Sequence, residues 1–543
     1  MGCVYHLVKN SVLVFWGIDM KFLRFGIIGL FVIFFLLVFK KVSSLDTLIP
    51  NLEPYPDTLY YAVPAWNLVS GRGFTMAYDG WAVKQVTPPL YSLYLIPFFA
   101  IFRDVRMFYF ANLALIFGAF MIFLLTIKEL FGQTTTGRWL ILFLGFFFVT
   151  NYYVYTIPAL LMAEGITLFF FTLALYLMVK PPTSKTVLIA SVVGSAFFFI
   201  KISNLSVGLM FYLLYAIKLI RSDILNSIKK KYFVFSFLML VSFGAYMYFS
   251  NFLSGHKNLD AGTSFSIDYF QKGFGFYLDA LLGKTTTYIW YHVPMLPSLA
   301  SWLAISGMIA GMLIKKYRLI AMSIVVQTFV LVIFMSFFNA HDLRYIVMLI
   351  PAQLVLAGFA VMYLEDRFGA RMSFVFMAIV IIISLAHPSA GLVPGEPAVI
   401  TYKKQIGLNF KHREVPWNYI AILKFNDFFE KEGGEDVYLG TFLPPFYIHL
   451  YSNGRYKHLP ITMGQEFFAG TGGLAQAQKI QGIPDYYEKQ LKQGKKVYFS
   501  NYYVAHSREA WQMEIDALFT KFNVKQVATG CLGGCNIFEV KLK

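Results

Sequence analysis

The chain is 543 residues long, 58% hydrophobic and 19% aromatic, with only 14% charged residues and a mean hydropathy of +0.60. A soluble domain carries about 25% charged residues, so a water-soluble globular protein is excluded and most of this chain must sit in lipid. The formal charge of +17 comes from lysines and arginines clustered between apolar runs, which argues against a nucleic-acid binder, and three cysteines cannot make a disulfide framework.

Residues 1–21 form an N-terminal cytoplasmic segment, in which Met20 offers a second start. A spanning helix needs about 20 apolar residues, and that criterion predicts eleven spans. They lie near 22–39, 107–127, 139–157, 163–179, 186–200, 202–220, 232–250, 295–314, 319–338, 345–363 and 372–387. The first lacks a small-residue cleavage site and is read as a retained anchor. The run from Pro89 to Phe102 contains Pro97 and ends at Arg103, Asp104 and Arg106. It is too short for a span and reads as an interfacial or re-entrant helix.

Charge parity supports this count. With the N-terminus inside, the inner loops hold Lys128 with Arg138, Lys180 with Lys185, Arg221 with Lys229 to Lys231, Lys315 and Lys316 with Arg318, and Arg367 with Arg371. All are short and basic, as the positive-inside bias requires. The first loop (40–106), Glu164, Lys201, the 251–285 loop, the His341 to Arg344 loop and everything after about 388 then face outward. The expected fold is an α-helical polytopic membrane protein with a C-terminal extracytoplasmic α/β domain. Residues 22–387 form the transmembrane catalytic domain, 388–400 a Pro/Gly linker and 401–543 the soluble domain. In that domain helix-like stretches (418–432, 484–493, 508–522) alternate with strand-like ones (437–440, 496–500, 525–529, 536–540).

Several polar residues stand at the outer ends of these spans. Asp57 follows Pro56 in the first loop, where it suits a helix N-cap and equally a general base, and spacing alone does not choose. Glu164 heads a span, and an ionisable residue carried toward the bilayer centre costs about 2.5–3.5 kcal/mol, so such residues commonly mark sites. Lys84, Arg106, Lys201 and Arg344 are either interfacial anchors or ligands for a phosphate, which Arg grips with two parallel hydrogen bonds and Lys meets as a point charge. Tyr60, Tyr61, Trp66, Tyr78 and Trp81 fit an aromatic interfacial belt or a surface on which a sugar stacks. His256, His292 and His341 are scattered and make no metal-ligand cluster.

The order Asp57-x-x-Tyr60, Ala65-Trp66-Asn67-Leu68, Gly71-x-Gly73-Phe74, Lys84 and Pro88-Pro89-Leu90, then Glu164 at the head of the fourth span and Arg344-Tyr345 before a late one, resembles the GT-C glycosyltransferases. Within them it is most similar to the branch of protein O-mannosyltransferases and lipid A aminoarabinose transferases, over roughly residues 20–390. The resemblance implies inverting transfer from a polyprenyl-phosphate-linked sugar to a protein, lipid or glycan acceptor at the outer face of the cell membrane. It implies that Asp57 activates the acceptor, that Glu164 is the second acid, and that Lys84 and Arg344 bind the phosphate. Tyr345, Tyr61, His341, Arg106 and Lys201 complete the expected substrate-binding set.

Two departures stand out. Three residues separate Lys84 from Pro88, where the family places its lysine immediately before Pro-Pro. Thr58 stands where a second acid often follows the first, so the case for a bound divalent metal is weak. A multi-pass transporter or lipid-carrier flippase is the rival reading; it calls for charges near the midplane and repeated halves, neither of which the sequence displays. A membrane sensor using the C-terminal domain as its binding module is a third.

Overall fold

The computed structural model describes residues 20–43, 57–76, 87–221, 267–288, 291–338, 341–386, 388–389, 400–401, 417–441, 443, 445–452, 454–459, 483–501, 516–529 and 536–543, with a few more within 238–245. Two compact units divide the chain. One holds residues 1–44, 109–249 and 257–411, the other 45–108, 250–256 and 412–543.

The first unit is helical because its apolar runs leave the backbone no partner but itself. It contains α1 (Met20–Ser43), nearly all of α4 (Phe108–Phe131), α5 (Thr135–Val149), α6 (Tyr152–Thr156), α7 (Glu164–Val179), α8 (Ser184–Ile200), α9 (Leu205–Arg221) and α10 (Ile267–Leu281). A short hairpin, β1 (Thr285–Tyr288) with β2 (Tyr291–Pro294), precedes α11 (Ser298–Leu313), α12 (Arg318–Ser336) and α13 (Ile350–Ala386), after which the two-residue strands β3 (Pro388–Ser389) and β4 (Ile400–Thr401) pair antiparallel. By length and composition four stretches among the described residues can cross a membrane alone: Phe22–Phe39, Val105–Phe131, Arg318–Ser336 and Val347–Ala386. Against eleven expected spans, α7, α8 and α11 coincide with three but are only 16 or 17 residues long, and 232–250 lies largely outside the described residues.

Two breaks have identifiable causes. The straight span expected over 139–157 is bent by 55° between α5 and the Tyr152–Ala159 segment. Asn151 sits at the bend in extended conformation, and its side chain accepts from Tyr153 N (3.0 Å) and Val154 N (3.3 Å), capping a new helix. The expected gap between 363 and 372 is a kink at Gly369, whose φ of 83° is open to glycine at little cost.

Helices α11 and α13 pack backbone to backbone. A Cβ placed on Gly307 would run into the main-chain carbonyl of Leu356, which cannot rotate away. Gly307→Ala is therefore expected to destabilise the protein by about 1–3 kcal/mol. A melting temperature equal to wild type in the same lipid would contradict this packing.

The second unit joins the first loop to the C-terminal sequence. Helix α2 (Asp57–Val69) packs on α3 (Leu90–Phe102) through Tyr61 against Tyr91 (5.2 Å, edge-on) and Trp66 against Phe99 (6.1 Å, edge-on). The remainder comprises α14 (Trp417–Glu432), β5 (Val437–Gly440), α15 (Pro445–Tyr451), β6 (Lys457–Leu459), α16 (Ile483–Lys492), β7 (Lys496–Ser500), β8 (Phe522–Ala528) and β9 (Ile537–Leu542). Its sheet runs β6-β5-β7-β9-β8, with β5 parallel to β6 and β7, and β9 antiparallel to β7 and β8. Leu459, Tyr487, Val497, Phe499, Leu518, Phe522 and Val540 form its buried core. Buried His449 of α15 is hydrogen-bonded to buried Asn67 of α2 at 2.9 Å, tying loop to sheet domain. The expected strand at 525–529 begins earlier, at Phe522, and most of the helix expected over 508–522 lies outside the described residues.

Candidate functional site

Helices α7 and α8 are joined by four residues, so they form an antiparallel pair whose far ends are level: 16 and 17 residues rise about 24 and about 26 Å. Glu164 opens α7 and Lys201 caps the end of α8 in extended conformation. The hairpin thereby brings them together, with Lys201 Nζ donating to Glu164 Oε1 at 2.7 Å. Each charge also suits its helix end, an anion at the N-terminus and a cation at the C-terminus. The carboxylate is 3% exposed and the ammonium side chain 18%.

Neutral amides hold this pair in place. Asn204 Nδ2 donates to Thr167 Oγ1 at 2.9 Å, linking the turn after Lys201 to the first turn of α7. Asn112 Nδ2, from α4, donates to Leu160 O at 2.7 Å and fixes the turn that leads into Glu164. Sequence reasoning missed both. The signal was present: an amide inside an apolar run is costly in lipid unless a neighbouring helix satisfies it.

The turn between α12 and α13 completes the cluster. Asp342 caps the 3-10 turn Leu343–Tyr345, accepting from Arg344 N at 2.9 Å, with its carboxylate 3.8 Å from Arg344 Nε. Tyr345 then lies against both cations: Lys201 Nζ is 4.8 Å and the Arg344 guanidinium carbon 5.0 Å from its ring centre. Arg344 Nη2 also donates to Tyr345 Oη at 3.1 Å. Two cations thus meet one aromatic ring, each contact worth about 0.5–2 kcal/mol, with Lys201 paired to Glu164 and Arg344 3.8 Å from the Asp342 carboxylate.

His341 and Tyr277 flank this turn, their rings 6.3 Å apart. Burial holds the His341 imidazole below its ordinary pKa, with the carbonyls of Phe338 and Ser336 pulling the other way. Burial likewise pushes the Tyr277 phenol up. Glu164 Oε2 is buried and has no hydrogen-bond partner among the described residues. An unsatisfied buried acceptor costs about 1–3 kcal/mol, more when charged, so this oxygen is poised for a donor that none of the described residues provides.

The remaining candidates are placed differently. Asp57 is the first residue of α2; its side chain, and the whole of Lys84, lie outside the described residues. Tyr61 is buried against Tyr91 within the second unit. Arg106 is gripped by Asp104 through Nε (3.1 and 3.0 Å) and Nη2 (2.7 Å), also in the second unit. Of the histidines, His256 lies outside the described residues. No three His, Cys, Asp or Glu side chains gather as metal ligands among the described residues.

No family model and no curated protein matches the chain. Solved structures do. ArnT from Cupriavidus metallidurans bound to undecaprenyl phosphate superposes with a TM-score of 0.59 at 13% identity, covering 96% of this chain and 98% of that one. The same protein in the apo state gives 0.59 at 15% identity over 95% and 97%. The Archaeoglobus fulgidus oligosaccharyltransferase in the apo form gives 0.51 at 11% identity, covering 89% of this chain and 70% of that one.

Proposed function

The chain has the fold of the GT-C glycosyltransferases, and on that premise we propose that it transfers a sugar from a polyprenyl-phosphate donor to an acceptor at the outer face of the membrane. The observation that carries the reading is the Glu164, Lys201, Tyr345 and Arg344 cluster, with its partnerless buried carboxylate oxygen beside two cations. The undecaprenyl phosphate held by the ArnT structure supports a polyprenyl phosphate as the carrier here. The cluster lies at helix ends, not at midspan, which supports a transferase over a flippase.

In the proposed reaction Asp57 takes the proton of an acceptor hydroxyl or amine. The acceptor attacks the anomeric carbon as the bond from that carbon to the phosphate oxygen breaks, and the electron pair leaves with the phosphate. Configuration inverts. Arg344 and Lys84 stabilise the charge that develops on the leaving group, and Glu164 assists Asp57 in deprotonating the acceptor. Lys201 anchors Glu164 and Tyr345 positions both cations, while His341 lies beside the turn that carries Arg344. Tyr61 and Arg106 support the first loop that carries Asp57 and Lys84. Eleven spans, a cytoplasmic N-terminus and an extracytoplasmic α/β domain over 401–543 complete the proposal, resting on the basic inner loops.

The test is incubation of purified protein in lipid with a panel of hexose- and pentose-bearing polyprenyl phosphates. Release of free polyprenyl phosphate from at least one donor is expected. Intact donors throughout, in the presence and absence of membrane extract as acceptor, would overturn the reading.

A further inference from the structure

Within the second unit the turn after α3 and the helices α14 and α15 enclose a cavity of about 190 Å³. Pockets for drug-sized ligands run to about 300–1,000 Å³, so this one suits a single ring. Trp66 and Tyr451 supply aromatic surface, Leu423 an apolar edge, and Asp104, Arg106 and Asn426 the polar groups. These are fixed in advance. Arg106 and Asp104 form a two-pronged planar pair, about one quarter exposed (25% and 27%). Asn426 Nδ2 donates to Tyr451 O at 3.0 Å while Tyr456 Oη donates to Asn426 Oδ1 at 2.8 Å. Arg103, also in the lining, adopts φ 54° as the left-handed residue that caps the end of α3, its N–H donating to Phe99 O.

We propose that this cavity binds one sugar ring of the acceptor, which makes the acceptor a glycan or glycolipid. The proposal rests on the transferase reading. A pyranose offers an apolar C–H face to stack on indole and phenol rings, and hydroxyls that both donate and accept. A carboxylate locked to a guanidinium answers both roles at once: a hydroxyl donates to the Asp104 oxygens and accepts from Arg106. Arg106 is already held by Asp104, so the pair carries no net charge to attract a phosphate, and an alkyl chain would cover these polar groups with hydrocarbon.

The test uses the full chain in lipid nanodiscs with methyl glycosides of hexoses and pentoses as probes, read by saturation-transfer NMR and tryptophan fluorescence. Leu423→Trp fills the cavity from a partly exposed position, and Asp104→Asn keeps the turn's cap while removing the charge. Both are expected to weaken the best glycoside by roughly tenfold or more, the value of a charged hydrogen bond. Equal binding by wild type and both variants, or no glycoside bound by wild type, overturns the proposal. Release of polyprenyl phosphate from donor alone, measured on the same preparations, reports on the transferase reading separately: release without glycoside binding sinks only the acceptor site, and binding without release sinks only the transfer.

Discussion

Asp57→Asn is expected to lower sugar transfer by roughly 100- to 10,000-fold, the range for loss of a positioned general base, with yield and melting temperature unchanged. The substitution separates the two roles this residue suits. Asparagine caps a helix as well as aspartate does, so α2, which starts at this residue, keeps its N-terminus. It cannot accept the acceptor's proton at neutral pH. Asp57→Ala should add a loss of about 1 kcal/mol in stability if the cap also operates. Initial rates with saturating donor decide the matter; near-wild-type transfer by Asp57→Asn would leave this residue with the cap alone.

The second large effect concerns stability. Lys201→Met is expected to cost about 3 kcal/mol, the lower end for breaking a buried ion pair, because the ammonium side chain is 18% exposed and water offsets part of the loss. The penalty comes from Glu164, which stays buried and charged with no cation on Oε1. Glu164→Gln with Lys201→Met should recover most of that loss, since the stranded charge is gone. Thermal unfolding of both single variants and the double in one lipid gives the coupling. A neutral Lys201→Met would mean that the ammonium is an interfacial anchor and that the 2.7 Å contact contributes nothing.

Much of the membrane architecture was legible in the apolar runs. The starts of α7 and α12 fall within a residue of the expected positions, and Gly369 marks the gap expected between two late segments. The break at Asn151 was missed because the run from 139 to 157 is hydrophobic enough to read as one span. An amide there is both tolerable in a span and a leading cap, and hydropathy registers only the first. In the second unit α15 and β6 were missed: they are seven and three residues long, too short for a periodicity to emerge.

The site was legible residue by residue but not as a constellation. Glu164 and Lys201 were each visible as a charge at the end of an apolar run. Their pairing follows from a hairpin with nearly equal arms, arithmetic available from the sequence once helix ends are known to one residue. Arg344 and Tyr345 arrive from more than 140 residues further along the chain, by packing that no local pattern encodes.

The central claim is that the Glu164, Lys201, Tyr345 and Arg344 cluster receives the phosphate of a polyprenyl carrier. The most direct measurement is the affinity of the wild type and Arg344→Ala for polyprenyl phosphate and for the matching polyprenol, in the same lipid. Wild type is expected to favour the phosphate over the alcohol by roughly 10- to 100-fold, the worth of one charge-assisted contact, and Arg344→Ala to lose most of that preference. Equal affinity of the wild type for phosphate and alcohol, or a preference untouched by Arg344→Ala, would contradict it.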